Sequence, residues 1–287
     1  MRGSNELQIR FWGVRGSFPV PGRKTASFGG NSSCVEIRAG NHVLIFDAGT
    51  GAIGLGEQLA ARNHNHRVHI FLSHMHHDHI EGLRFFQPLY RSGWTCHVYG
   101  PESEDHPVEE ALQHMMKPRF FPVELGELQA TIKVRGLHTN ERLVFPGSPK
   151  VTVDSVHIGA HPKFGVQLYK ISYAGRSVVY ATDVESPLGG HEPVVELARG
   201  ADVLIHDAQY TDHEYHRDTG HKRGWGHSTV RMAAETAVEA GVGQLILYHH
   251  DPSRSDSQIP RLEQLAKKIF PRTRAAREGM TVRLAAK

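Results

Sequence analysis

The chain has 287 residues, 39% of them hydrophobic and 22% charged, with 33 Lys and Arg against 30 Asp and Glu for a net charge of +3. These values exclude a disordered chain and suffice for a sizeable core in one large domain over residues 1–287. No stretch approaches the ~18 to 20 apolar residues of a membrane span and Met1 to Arg10 has no apolar leader core, so a cytoplasmic protein with no membrane partner is expected.

Leu7 to Trp12 and Cys34 to Arg38 read as strands, joined by an irregular Gly/Pro-rich stretch, Gly13 to Asn31. The run Val43 to Phe46 stops at Asp47-Ala48-Gly49-Thr50-Gly51, and an amphipathic helix through Leu55, Leu59 and Ala60 follows. A second run, Val68 to Leu72, stops at Ser73 and delivers the chain into a histidine cluster, after which Ile80 to Tyr90 reads as a helix. Both runs present polar residues at C-terminal strand ends, where α/β sheets keep their active sites. Val98-Tyr99, Ala130 to Val134 and Val151 to Val156 follow as strands, with a helix over Val108 to Met116. Val166 to Tyr173, Val178 to Ala181 and Val203 to Ile205 are further strands, with Ala174-Gly175-Arg176 as a hairpin turn between the first two. Asp183 and Asp207 fall just past strand ends. A helix capped at His227-Ser228-Thr229 runs to Ala240, Gly241 ends it, and Gln244 to Tyr248 forms a strand before His249-His250. The sequence shows no repeat of fixed period, no low-complexity tract and no linker.

Histidine is the anomaly, at 22 residues, and imidazole is the commonest transition-metal ligand. Cys34 and Cys96 form no C-x-x-C pair, which argues against a disulfide scaffold, a zinc ribbon or a redox dithiol. The densest cluster is His74-Met75-His76-His77-Asp78-His79, directly after a strand. In extended backbone, residues two apart point to one side, so His74 and His76 can grip one ion; as the chain turns into a helix, Asp78 and His79 can face a second. A carboxylate among four histidines is costly to assemble without a cation.

With Asp47 after an early strand, a later histidine, Asp183 and a final strand-end histidine, the sequence resembles the metallo-β-lactamase fold superfamily over most of its length. The resemblance implies a four-layer αββα sandwich holding one or two metals at the edge of two packed sheets. His138, His157 and His161 all lie where the later histidine belongs. His161 is preferred because His161-Pro162-Lys163-Phe164-Gly165 is similar to the H-P-x-x-x-G context of the phosphodiesterase branch. His249 fits the last position better than His250, since it directly follows a strand. The resemblance therefore implies His74, His76 and His161 around a first metal, Asp78, His79 and His249 around a second, and Asp183 between them. Asp47 then either accepts a hydrogen bond from a ligand imidazole or the cluster loop, or only shapes a turn. A nitrogen and oxygen shell suits zinc first and manganese second, with iron also compatible.

Two such metals share a water, lower its pKa and clamp the oxygens of an ester under attack, with Asp78 and His227 as the catalytic residues expected. Gly226-His227-Ser228-Thr229, continued to Leu245 to His249, resembles the C-terminal segment of ribonuclease Z and related phosphodiesterases. His227 is there a general acid, with a helix-cap neighbour held by Ser228 as the plainer reading. Trp12 to Ser17 with Gly29 to Cys34 resembles the front loop of a bacterial branch similar to cyclic nucleotide and cyclic phosphate phosphodiesterases. Arg15, Ser17 and Asn31 are its expected phosphate donors, unless the glycines merely allow tight turns. Asp207 is placed either near the metals or as a strand-end cap. The chain departs from ribonuclease Z in lacking the long Gly-rich arm that grips tRNA, and no run of five or more Lys or Arg signals nucleic acid. The expectation is a dinuclear metal-dependent phosphodiesterase for a small or cyclic phosphodiester. The alternatives are a ribonuclease Z-like RNA endonuclease and a hydrolase of a lactone, thioester or β-lactam carbonyl. The resemblance alone suggests a homodimer.

Overall fold

Residues 6–62, 66–103 and 107–287 are described by a computed structural model, in which strands with one apolar face, or two, stack into a pair of mixed sheets. The first five residues of the stretch read for a leader lie outside them. The first sheet holds β1 (Glu6–Gly13), β2 (Cys34–Ala39), β3 (His42–Phe46), β4 (Arg67–Phe71), β5 (Thr95–Pro101) and β6 (Thr131–Leu137) in that spatial order. The second holds β7 (Glu141–Phe145), β8 (Val151–Ile158), β9 (Val166–Tyr173), β10 (Arg176–Ala181), β11 (Val203–Asp207), β12 (Gln244–Tyr248) and β13 (Thr273–Ala275), again in order. A last strand, β14 (Thr281–Ala285), returns to pair with β1. Each sheet changes from antiparallel to parallel midway, at β3 in the first and β10 in the second. One ladder pattern thus occurs twice in a chain whose sequence shows no repeat.

The α-helices among the described residues are α1 (Gly51–Ala60), α2 (His77–Ile80), α3 (Val108–Met115), α4 (Glu192–Ala198), α5 (Asp212–His216), α6 (Val230–Glu239) and α7 (Ile259–Lys267). Successive strand residues face opposite sides, so β3 sends Phe46 into the inter-sheet core and Ile45 outward under α1. The inner core is aromatic, with Phe46 and Phe71 stacked at 5.1 Å and Tyr169, Tyr180 and Tyr248 completing it. On the outer face of the second sheet, Val179, Leu204 and Leu245 meet the small-residue face of α6, Ala233, Ala234 and Ala237. The expected four-layer αββα sandwich is the result. No helix among the described residues is long and apolar enough to cross a membrane.

Local chemistry explains both agreement and departure. Thr229 caps α6 by accepting from the Met232 N–H at 3.2 Å, worth about 1 kcal/mol, and Ala174-Gly175 turns β9 into β10 with both residues at positive φ. The helix expected over Ile80 to Tyr90 is instead α2 followed by two 3₁₀ segments, Glu81–Phe85 and Gln87–Tyr90. Pro88 disfavours helical backbone before it, and Gly82 is drawn against the Ala48-Gly49 backbone, where its N–H donates to Ala48. The sequence reading misses β7, β13, β14, α4, α5 and α7, all at edges or on outer faces.

Candidate metal centre

The centre lies where strands of both sheets end. The loop after β4 carries His74 to His79, Asp183 follows β10, and His249 follows β12. Asp47, Asp183 and His249 all adopt positive φ, at 58°, 53° and 59°, as does Ser17 at 62°. Left-handed backbone in non-glycine residues costs about 1 kcal/mol or more each, and its concentration here marks a site whose surroundings hold it in place.

Four overlapping groups of potential ligands result among the described residues, one of them Asp183, Asp207, His227 and His249, and two lie on either side of Asp183. Single atoms of His74, His76 and His161 lie within 4.8 Å of one another, as do those of Asp78, His79 and His249. Asp183 stands between them: its Oδ1 is 3.2 Å from Nε2 of both His79 and His249, and its Oδ2 is 3.7 Å from His74 Nε2. Around this centre the outer ring nitrogens are committed to acceptors. His79 Nδ1 donates to Asp47 at 2.6 Å, His161 Nδ1 to the Gly226 carbonyl at 3.0 Å, and His249 Nδ1 to Gln209 Oε1 at 3.0 Å. Each Nε2 is therefore left with a lone pair facing inward. Asp47 also accepts from the Ser73 N–H and hydroxyl and from Tyr180, so one buried carboxylate aligns both the cluster loop and His79.

These donors fit divalent cations. Burial disfavours a charge on His79, but Asp183, Asp78 and Asp47 outweigh it and raise its pKa well above the ordinary imidazole range, so the site attracts positive charge where its Nε2 lies 3.2 Å from that of His249, and buried His74 Nε2 has no hydrogen-bond partner. Burial pushes His74 well below the ordinary imidazole range, with His79 adding to it, and lowers His76 and His161 as well. Neutral imidazole is the ligand form. Burial alone would raise Asp78 and Asp183, but the surrounding imidazoles hold both below the ordinary carboxylate range.

His227 stands at the edge of this centre. Its Nδ1 donates to Asp207 Oδ2 at 2.6 Å and lies 3.8 Å from Asp183. Burial disfavours its charged form, yet Asp207, together with Asp183 and Asp78, outweighs burial and raises its pKa to about 9. Asp207 thus lies beside the centre, and Ser228 donates its own N–H to the same carboxylate.

The other sequence expectations divide. Among the alternatives to His161, His157 is paired with Gln167 within the β8–β9 ladder and His138 is exposed on the turn before β7. His250 is turned away, its Nε2 bonded to the Ala276 carbonyl. Ser17 does reach the centre, through a backbone N–H that donates to Asp78 at 2.7 Å. Arg15 is a correction: its fully buried guanidinium donates to the carbonyls of Gly29 and Arg254, bracing the front loop rather than presenting donors to a phosphate. Asn31 is another, with its backbone and side-chain N–H groups both held by Glu278. Gln209, Tyr180 and Ser73 were not anticipated; their only sequence signal is a place at or near a strand end. Two glycines are required by contact, since a Cβ at Gly16 would lie 2.4 Å from the His249 ring and one at Gly226, which has φ 85°, would lie 2.2 Å from His161 Nδ1.

Two His and Asp groups joined by a shared carboxylate at the edge of an αββα sandwich define a hydrolase of the metallo-β-lactamase fold, which implies a dinuclear metal site. Residues 42–250 match the family described as the beta-lactamase superfamily domain, and the chain belongs to that family. Ribonuclease Z of Archaeoglobus fulgidus is 27% identical over 324 aligned positions, covering 96% of this chain and 97% of that protein. Among solved structures, the metallo-beta-lactamase fold protein YhfI from Bacillus subtilis superposes with a TM-score of 0.70 at 20% identity, covering 97% of this chain and 99% of that one. The short form of human tRNase Z does so with a TM-score of 0.65 at 20% identity, covering 96% and 98%.

Proposed function

We propose that this hydrolase is a zinc-dependent phosphodiesterase, in which His74, His76 and His161 would hold one ion and Asp78, His79 and His249 the other, with Asp183 placed between the two groups. The observation that carries the reading is the His227–Asp207 pair beside the shared carboxylate, a placed proton donor that a phosphodiester needs when its leaving group is a poor alkoxide. When bound, the ion pair supplies Lewis-acid charge and an acidified water. The residues of the chain do the rest. Asp47 and Gln209 hold the His79 and His249 rings in one tautomer and orientation, and the Ser17 N–H fixes Asp78. Asp207 keeps a proton on His227 Nδ1 and stabilises the imidazolium, so that Nε2–H can be handed to the departing oxygen.

The names of the aligned relatives favour an RNA phosphodiester over the small or cyclic one that the sequence motifs suggest. A second reading, the smaller substrate, is supported by length: the Archaeoglobus fulgidus alignment needs 324 positions where this chain has 287 residues, so that relative carries stretches absent here. Between His161 and Asp183 the chain is a single hairpin, β9–β10. Metal analysis of the purified protein, coupled to a panel of pre-tRNA with a 3′ trailer, 3′,5′- and 2′,3′-cyclic nucleotides, bis(p-nitrophenyl) phosphate and a lactone, tests both readings. Trailer removal supports the first and cyclic nucleotide turnover the second. Turnover of the lactone alone would overturn the phosphodiesterase assignment.

A further inference from the structure

Glu185 follows the shared carboxylate Asp183 by two residues and belongs to none of the ligand groups, yet its half-buried side chain accepts three hydrogen bonds. Oε1 takes the Tyr215 hydroxyl at 2.6 Å and the Gly224 N–H at 2.7 Å, and Oε2 takes the Gly226 N–H at 2.8 Å. Hydrogen bonds to an ionised acceptor are roughly twice as strong as neutral ones, so one carboxylate fastens a stretch, residues 217–228, that forms no helix or strand of its own. Gly226 connects that hold to the chemistry. Its carbonyl accepts from His161 Nδ1 at 3.0 Å, and the residue after it is His227. On the other side, the Glu185 N–H donates at 3.0 Å to the carbonyl of Ala160, the residue before His161. Glu185, Ala160, His161 and Gly226 therefore close a ring of bonds that contains one ligand histidine and ends one residue short of the proton donor. The Ser186 N–H, given to Ser228 Oγ at 3.0 Å, ties the same stretch to the far side of His227.

We propose that Glu185 is a positioning residue that sets His161 and His227 together through the Gly226 peptide, so that the direction of a ligand ring and the place of the proton donor depend on one carboxylate. The part that concerns His227 rests on the phosphodiesterase reading and deepens it. The part that concerns His161 stands on the ligand groups alone. Both act at a distance from the ions, through a backbone N–H on one side of Gly226 and its carbonyl on the other.

Glu185→Gln tests the assignment with little change of shape. An amide has one accepting oxygen; turned toward Tyr215 and Gly224, which bring two donors, it sets its NH2 against the Gly226 N–H and removes that contact alone. Chelator competition should then show one zinc ion bound about tenfold more weakly, the scale of losing a group that orients a ligand histidine. At saturating zinc, the alkoxide substrate that the protein turns over, pre-tRNA or cyclic nucleotide, should slow on the order of tenfold more than bis(p-nitrophenyl) phosphate, because only the former needs the proton of His227. Tyr215→Phe removes a donor to Oε1 and leaves the Gly226 contact, so it should keep both the affinity and the ratio of the two rates. Glu185→Asp, one methylene short of Gly226, should shift both readouts in the same direction as the amide and carries the test if the amide variant fails to fold. Unchanged zinc affinity, equal slowing of the two substrates, or a Tyr215→Phe protein with the same losses would overturn the assignment. The affinity measurement needs no turnover, which separates the two failures: a protein inactive on every phosphodiester, yet weaker for zinc after Glu185→Gln, loses the function proposed above and keeps Glu185 as the residue that orients His161.

Discussion

Replacing Asp207 by asparagine isolates the proton donor. Burial by itself lowers the pKa of His227, and the Asp207 carboxylate, 2.6 Å from Nδ1, together with Asp183 and Asp78, carries it up to about 9 from the ordinary 6.5. Without that carboxylate burial is opposed only by Asp183 and Asp78, so the pKa falls, and above it each unit of pKa lost is a tenfold loss of the protonated form. The amide oxygen of the asparagine side chain would still accept from the Gln209 and Ser228 N–H groups that Asp207 Oδ1 serves, so the local backbone should hold. Asp207→Asn is therefore expected to slow a substrate with an alkoxide leaving group by about 10-fold or more, and by more at pH 8.5 than at pH 7.5. A p-nitrophenyl ester, whose leaving group departs without a proton, should slow far less. In the unmodified enzyme the alkoxide substrate should lose rate as pH rises through the His227 pKa, at or below about 9, because bound cations add positive charge nearby and can only lower it. The assay is initial rates on both substrates from pH 6.5 to 9.5, with metal content measured beside each. Equal slowing of both substrates with metal retained would refute the reasoning and leave Asp207 as a support for the loop.

Three further outcomes are expected. Active protein should carry about two metal ions per chain by elemental analysis; Asp183→Ala should abolish activity, while Asp47→Ala, which frees His79 Nδ1, should weaken metal affinity by ~10 to 100-fold in a chelator competition. Gly16→Ala puts a methyl 2.4 Å from the His249 ring and should weaken binding of one ion by on the order of tenfold, again by chelator competition; unchanged affinity would show that the ring has room to move. His250 is buried and its pKa lowered to about 3, so the unfolded chain binds a proton below about pH 6.5 that the folded chain does not. Its contribution to stability is complete above that pH and is lost as pH falls toward 3, about 2 kcal/mol of it between pH 7 and pH 5. Denaturant unfolding of metal-free protein should show His250→Gln with a shallower acid dependence by that amount.

What the sequence by itself determined is local. Residues two apart in extended chain share a side, so the order His74, His76, Asp78, His79 specifies two ligand directions within one loop, and an apolar run ending in Asp or His announces a strand delivering a polar group. The placement of Asp47, Asp183 and His249 just past strand ends follows from that rule alone. What only the tertiary structure decided is which of those ends meet. Asp183 and His249 share a site because β10, β11 and β12 are parallel neighbours whose C-termini fall at one edge, and because that edge faces the loop after β4 from the other sheet. His161 rather than His157 reaches the centre because β8 continues to Ile158 and keeps His157 in a ladder. Arg15 and Asn31 carry the right donors, yet their direction depends on carbonyls and a carboxylate contributed from beyond residue 250 as well as nearby, which spacing cannot reveal. Hydrogen-bond partners such as Asp207 for His227 and Gln209 for His249 are of the same kind: they join residues 20 and 40 positions apart, and the energy that pairs them exists only once the sheet has brought their strand ends together.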